Sequence, residues 1–511
     1  MLSKIKSCSI NGLKVDSIEV EVDLANGLPA INIVGLADVE VKESKERVRA
    51  AIKNSNLEFP LKRITVNLAP ADTKKEGTHF DLPIAMGILA ASGQLKNEFS
   101  ASDFIAIGEL SLDGGINRVK GVLPMLLEMC SNGIKKVILP KDNLPEAKYV
   151  MGIECIGVES LSELQKYING CLLLEPQKGQ IQNIKNENSK GLDFKDISGQ
   201  ENLKRAMEIT AAGNHNLLMI GPPGSGKTMA ARRLPSILPK MTFQEAIEVT
   251  KIYSIAGLLD KDEGLIHSRS FRSPHHTISN IALTGGGRIP RPGEVSLSHY
   301  GVLFLDELPE FNKIALEVLR QPLEDGVISI SRVNASYSYP SKFMLVAAMN
   351  PCPCGYYGAK TENQCSCSPQ QVKRYMGRIS GPLLDRIDIV VETASIAYND
   401  LVGRSKIEDS NTIKKRVEKA KEFQQERYFG TDILNNSQLA PSDIKKHCKT
   451  DAEAKNILQI AYNKMKLSAR GYNRILKVAR TIADLDASEI IKEQHISEAL
   501  QYRNTNNIFK F

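Results

Sequence analysis

Between Ser17 and Leu24 the chain reads SIEVEVDL, apolar and polar by turns, which predicts a half-buried strand. A charged amphipathic stretch at Val41–Asn54 predicts a helix, and Ile64–Leu68 predicts the next strand. Asp81–Ser92 (DLPIAMGILAAS) is apolar on most sides and predicts a buried helix, while Phe104–Gly108 and Lys136–Leu139 are short apolar runs that predict further strands. Strands and helices mixed in this way over residues 1–171 make an α+β domain with one core.

Residues 172–191 break the pattern. LLLEPQKGQIQNIKNENSKG turns polar after Glu175 and is rich in Asn, Gln and Lys, as a linker is. From 192 to 395 apolar strand-like runs alternate with helical segments, which predicts an α/β layer on a parallel sheet. From 396 to 511 the periodicity is helical. Ile413–Arg427 and Ala452–Met465 carry it, and Ser468–Leu485 shows it most clearly, with Ser468 as the N-cap. There Ile475, Leu476, Ala479, Ile482 and Ala483 share one face, and Arg470, Arg474 and Lys477 fall elsewhere.

Composition adds bounds. A length of 511 residues accommodates two or three domains, and 42% hydrophobic with 24% charged residues is ordinary for a globular protein. The net charge of +7 is compatible with a nucleic-acid partner without requiring one. No apolar run approaches the roughly 18 residues of a membrane span, so no membrane partner is expected. The opening MLSKIKSCSINGLKVDS lacks the apolar stretch of a signal peptide. Nine cysteines without an export signal then point to reduced thiols or a metal, and to the cytoplasm.

The chemistry concentrates at residues 221–228, GPPGSGKT. Gly221, Gly226, Lys227 and Thr228 satisfy G-x-x-x-x-G-K-[ST], with Pro222, Pro223, Gly224 and Ser225 between them. The apolar run Leu217–Ile220 precedes the motif and a helical stretch follows it, which is the context it needs. Glycines let backbone N–H groups curl around phosphates, Lys227 reaches the β- and γ-phosphates, and the Thr228 hydroxyl ligates Mg²⁺. Downstream, GVLFLDE (301–307) is an apolar strand ending in Asp306 and Glu307. Both acids would emerge at the strand's C-terminal end, where α/β sheets bind ligands. Asp306 is the expected Mg²⁺ partner and Glu307 the base that orients the attacking water. A third strand, Phe343–Ala348, leads to Asn350, placed to hold that water or sense the γ-phosphate.

These motifs in this order resemble the AAA+ ATPases, and more closely the magnesium-chelatase-like group, over essentially the whole chain. FRSPHHTIS (271–279), GGGRIPRPGEVSLSHYGVLFLDELPEF (285–311), NPCPCGYYG (350–358) and SGPLLDRIDI (380–389) carry the likeness to that group. The resemblance implies an AAA+ P-loop NTPase module with a C-terminal helical lid. It also implies that Ile197, in DFKDISGQ (193–200), lies near the adenine. Arg386 is implied as a finger reaching a neighbouring subunit's nucleotide, with an ion pair to Asp385 or Asp388 as the local alternative. Arg470, in Ser468–Ala469–Arg470, is implied to contact the γ-phosphate within its own chain, with Arg474 as runner-up and a solvated basic face as the alternative.

The N-terminal part resembles the α+β Lon-protease-like (ribosomal S5 domain 2-like) domain through KKEGTHFDLPIAMGILAASG (74–93) and GELSLDGGINRVKGVLPMLL (108–127). The protease's serine position falls at His79 and its lysine near Leu123, so no Ser–Lys dyad and no peptidase activity are expected. Nearby Lys120 has no serine in register.

Cys352, Cys354, Cys365 and Cys367 form C-x-C-x₁₀-C-x-C, a set suited to a structural Zn²⁺; a mobile loop of reduced thiols is the alternative. His275 and His276 are adjacent, make a poor metal pair and receive no assigned chemistry. Thr284–Gly293 is glycine-rich with Arg288 and Arg291, and Ser329–Tyr339 alternates like a hairpin carrying Arg332, Tyr337 and Tyr339. In related rings such inserts face the pore, where arginines track phosphates; hairpins that only pack subunits together are the alternative. The resemblance therefore implies ATP and Mg²⁺ as cofactors, a hexameric homo-oligomer, and single-stranded or branched DNA as partner, with branch migration or unwinding of recombination intermediates as the activity. A magnesium-chelatase motor subunit and a protein-remodelling switch are the rival functions.

Overall fold

The computed structural model describes residues 1–96, 104–180, 191–287, 290–331, 336–358, 364–394 and 408–503. The chain is mixed α/β and forms two compact units. One comprises Met1–Lys185, Phe243–Ile266 and Ser331–Tyr339; the other comprises Asn186–Thr242, His267–Ile330 and Pro340–Phe511.

The first unit is built on an eight-stranded mixed sheet. Its central hairpin pairs Leu2–Asn11 with Lys14–Ala25, from Leu2 opposite Asp23 to Asn11 opposite Lys14. The half-buried strand expected at Ser17–Leu24 is the middle of the second arm, with Ile18, Val20, Val22 and Leu24 inward. The strands Arg63–Ala69, Phe104–Ala106 and Lys136–Pro140 and the helices Val39–Asn54 and Asp81–Ala91 lie where the apolar pattern put them. Within the stretch read as a linker, Gln177–Lys178 forms a short edge strand on Glu154–Val158, and 181–190 lie outside the described residues.

One helix joins this unit from far along the chain. Phe243–Ala256 buries Ala246, Ile247, Val249 and Ile252 and packs against Val122–Ser131. The Gly121 N–H donates to the Ser254 carbonyl at 3.1 Å, and the Ser254 hydroxyl donates to Glu146 at 2.6 Å. Hydrophobic periodicity marks a face to be buried but not its partner, so sequence order alone places this helix with its neighbours at 192–395.

The second unit has a five-stranded, all-parallel sheet in the order Phe271–Arg272, Val302–Leu305, Met344–Met349, Leu217–Ile220, Ile389–Glu392. Its three central strands are buried at every residue, as expected when helices cover both faces of a parallel sheet. Helix Ala469–Leu485 packs on Glu201–Gly213, Ser410–Arg427 and Glu493–Gln501, and the Ser468 hydroxyl caps it by accepting from the Gly471 N–H at 3.1 Å. In its last turn Asp484 is buried and accepts from Arg427 at 3.0 Å, Arg480 at 3.1 Å and Asn436 at 2.8 Å. A carboxylate so enclosed is stable only because each oxygen has a donor.

Candidate nucleotide site

The strand Leu217–Ile220 runs straight into the glycine-rich loop, and helix Lys227–Arg233 leaves it. Gly221 is a point of closest approach. A Cβ there would lie 2.0 Å from the Thr393 hydroxyl and 2.5 Å from the Thr393 carbonyl oxygen, so only glycine fits. Ser225 is buried and shares a hydrogen bond with Thr393 at 2.8 Å. Gln200 spans the loop's far side, donating to the Ala394 carbonyl at 2.5 Å.

Lys227 is 8% exposed, and its ammonium donates to the Gly221 carbonyl at 2.8 Å, the Pro222 carbonyl at 2.9 Å and Asn350 Oδ1 at 3.2 Å. Burial holds its pKa below the ordinary lysine value, and Asp306 pulls the other way. Thr228 Oγ1 donates to Asp306 Oδ2 at 2.6 Å. That spacing is near the ~3 Å between neighbouring oxygens around Mg²⁺ at ligand distances of about 2.1 Å. A buried cation held by its own loop, beside a hydroxyl–carboxylate pair of this spacing, fits a nucleotide phosphate with its magnesium.

The sheet order explains how these groups meet. Asp306 and Glu307 end the strand Val302–Leu305, and Asn350 ends Met344–Met349, which lies between that strand and the one feeding the loop. Three C-terminal strand ends therefore present Lys227, Asn350 and Asp306 side by side. Glu307 sits in left-handed backbone at φ 52 with its side chain 57% exposed. His276 Nδ1 lies 3.6 Å from Glu307 Oε2, and the His275 ring lies 4.1 Å from that of His276, tilted by 34°. Sequence reasoning assigned His276 nothing; its place inside a motif ahead of the acidic strand was the available signal. Ile197 is 1% exposed and closed into the core with Phe194 and Leu203.

Arg386 and Arg470 lie elsewhere in this unit. They line a cavity of about 630 Å³ together with Asn216, Phe343, Asp388 and Arg474. Asn216, Phe343 and Asp388 immediately precede three of the strands, so the cavity opens at the sheet's N-terminal edge, roughly 13 Å of strand away from the phosphate loop. This corrects the expectation that Arg470 reaches the γ-phosphate in its own chain: helix Ala469–Leu485 carries it to the opposite edge. The local partner of Arg386 is neither Asp385 nor Asp388; its guanidinium pairs with Glu324 and donates to the Pro382 carbonyl at 2.8 Å. Arg474 is buried, not on a solvated face, and burial followed by the neighbouring Arg503 pulls it down to about 10. Arg386 Nε and Arg474 Nη1 are buried there without a hydrogen-bond partner.

The remaining candidates divide. The four cysteines converge, with all Sγ atoms within 4.8 Å of one another. Arg291 is exposed on the short strand Arg291–Pro292, whereas Arg288 and Arg332 lie outside the described residues. Tyr339 is fully buried and cannot stack on a base, and Tyr337 packs against Gly12 in the first unit, where a Cβ would be 2.8 Å from its ring. In that unit His79 is buried with Nε2 2.8 Å from the Cys8 carbonyl, Leu123 is buried, and the Lys120 stem lies along Gly257.

A phosphate loop between a parallel strand and a helix, faced by carboxylates from the end of the next strand but one, defines the P-loop class of nucleotide-binding proteins. The family description "Magnesium chelatase, subunit ChlI" matches residues 193–401, "Subunit ChlI of Mg-chelatase" matches 20–143, and "Magnesium chelatase, subunit ChlI C-terminal" matches 407–503. The chain is 44% identical to competence protein ComM of Haemophilus influenzae over 98% of its own length and 97% of that protein's. It is 43% identical to the uncharacterized protein YifB of Escherichia coli over 98% and 97%. A shorter likeness, 30% identity over 28% of this chain and 27% of the other, connects it to Lon protease 2 of Bacillus subtilis. The chain belongs to the magnesium-chelatase-like AAA+ family of ComM and YifB, and membership implies ATPase activity. Among the described residues no helix is long and apolar enough to cross a membrane.

Proposed function

We propose that the chain is a ring-forming ATPase of the cytoplasm that moves along single-stranded or branched DNA and drives branch migration or unwinding of recombination intermediates. Residues 192–395 would form the AAA+ core, 396–511 its helical lid, and 1–171 a Lon-like domain without peptidase chemistry, joined by the linker 172–191. The strand order, with the Asn350 strand between the phosphate-loop strand and the Asp306 strand, supports the AAA+ assignment.

The observation that carries the ring is the separation of Lys227 and Asp306 from Arg386 and Arg470 by the length of the sheet's strands. Each chain displays a phosphate site on one edge and arginines on the other, so a complete site needs a second copy in a head-to-tail contact, which closes into a ring; six subunits is the expected number. In such a contact Arg386 would meet the neighbour's γ-phosphate, with Arg470 beside it. Lys227 and the loop from Gly221 to Thr228 bind the phosphates, Glu307 orients the attacking water, and Asn350 reports the γ-phosphate through Lys227. Mg²⁺, held through Thr228 and Asp306, would neutralise phosphate charge. Cys352, Cys354, Cys365 and Cys367 would hold a structural Zn²⁺.

DNA is favoured as the track because ComM, similar over nearly the whole chain, is named for competence, and because Arg291 is exposed on a glycine-rich turn. A motor for metal insertion is the second reading, supported by the three chelatase family matches. The test is the ATPase rate with and without single-stranded and four-way-junction DNA, beside Lys227→Ala and Glu307→Gln. Stimulation by DNA that vanishes in both variants supports the proposal; a rate indifferent to every DNA refutes it.

A further inference from the structure

The four thiols have a position that a simple loop staple does not require. Cys352 and Cys354 follow directly on Asn350, whose Oδ1 accepts from the Lys227 ammonium at 3.2 Å. Gly355, in left-handed backbone at φ +90, presses on the phosphate loop: a Cβ there would lie 2.5 Å from Pro223 Cδ and 2.7 Å from Cγ. Cys365 and Cys367 come from a second segment of the chain. Cys367 precedes Ser368, the N-cap of helix Pro369–Met376, and the Tyr375 phenol of that helix is bonded by the Asn350 backbone. The cluster thus joins the two chain segments that hold Asn350 in place.

Its geometry is that of a metal site. The Sγ separations are 3.3 Å for Cys352–Cys354, 3.7 Å for Cys352–Cys365 and 3.5 Å for Cys354–Cys365. Four sulfurs around zinc at about 2.3 Å stand ~3.8 Å apart, so a small outward movement of these three, with Cys367 Sγ within 4.8 Å of each, admits the ion. Backbone N–H groups already face the sulfurs: Tyr357 donates to Cys352 at 3.3 Å, and Cys354 is bonded by Tyr356 and Ser366. An all-thiolate set selects zinc over the hard cations.

We propose that Zn²⁺ on Cys352, Cys354, Cys365 and Cys367 braces the nucleotide site, holding Asn350 on Lys227 and Gly355 on Pro223, so that loss of the ion impairs ATP binding and turnover. The coupling rests on the reading of Gly221–Thr228 as the ATP site; the metal site itself does not. Loading converts thiols to thiolates and releases their protons. Zinc left unbound frees both segments, and a displacement of about 1 Å near reacting groups costs on the order of 100-fold in rate.

The full chain, purified anaerobically without chelator, is assayed for metal, and Co²⁺ is loaded in place of zinc. About one zinc per chain and the intense visible bands of tetrahedral thiolate cobalt are expected. The double variant Cys365→Ser/Cys367→Ser should lose both, with ATP turnover lowered on the order of 10- to 100-fold. If that variant does not fold, a strong chelator applied to the wild-type protein and removed before ATP and Mg²⁺ are added makes the same comparison, with circular dichroism as the control for folding. Gly355→Ala should keep the zinc and weaken ATP binding. Absence of zinc and of the cobalt bands, with ATP turnover intact, overturns the metal site and leaves the nucleotide reading standing. Zinc whose removal leaves ATP affinity and turnover unchanged overturns the coupling. Zinc in a protein that binds no ATP overturns the coupling together with the nucleotide reading.

Discussion

Arg386→Ala separates a local salt bridge from an arginine that works on a neighbour. Within its own chain the guanidinium holds Glu324 and the Pro382 carbonyl. Glu324 is 57% exposed, so losing that pair costs the fold only about 0.2–1 kcal/mol. An arginine at a neighbour's γ-phosphate is worth about 10³–10⁵ in turnover, or about 4–7 kcal/mol of barrier. The second quantity exceeds the first several-fold, so the variant should stay folded and bind ATP through the intact Gly221–Thr228 loop while its turnover collapses. Lys227→Ala should be inactive for the opposite reason, having an intact Arg386 and a defective loop. Mixed in equal amounts, the two variants form head-to-tail contacts of which about a quarter join an intact loop to an intact arginine. The mixture should therefore recover up to about a quarter of wild-type turnover, read by phosphate release. Near-wild-type turnover of Arg386→Ala, or mixtures that co-assemble and remain inactive, would refute the assignment.

Gly221→Ala should lower both the melting temperature and ATP affinity, because its methyl would lie 2.0 Å from the Thr393 hydroxyl and overpacking of this kind costs about 1–3 kcal/mol; an unchanged melt and affinity would show that the loop yields freely. His79 is held at about 4, chiefly by burial and against the opposing effect of its bond to the Cys8 carbonyl. With the folded pKa below the unfolded value of about 6.5, the unfolded chain takes up the proton first, so this group costs nothing above pH 6.5 and lowers stability by about 3 kcal/mol as pH falls through 6.5 to 4. Denaturant titrations over that range should give a shallower slope for His79→Gln, and an identical slope would remove His79 as the cause.

The sequence alone determined what depends on contiguous residues. The phosphate loop was legible because its chemistry needs glycines, a lysine and a hydroxyl at set spacing between a strand and a helix. The acids ending Val302–Leu305 and the helices at Ala452–Met465 and Ala469–Leu485 were legible because burial on one face imposes a period on the residues themselves. Tertiary structure alone decided which faces meet. It brought Asn350 onto Lys227 from the adjacent strand end, set His276 beside Glu307, gathered four cysteines, and pressed Gly355 on Pro223. It also carried Arg470 with Arg386 to the edge opposite the phosphate loop, buried Tyr339, and packed Phe243–Ala256 in the first unit. Periodicity reports that a side chain is to be buried or exposed. The surface that buries it, and the end of the strand from which a charge emerges, follow from strand order and helix docking, and these are settled by contacts between residues far apart in the chain.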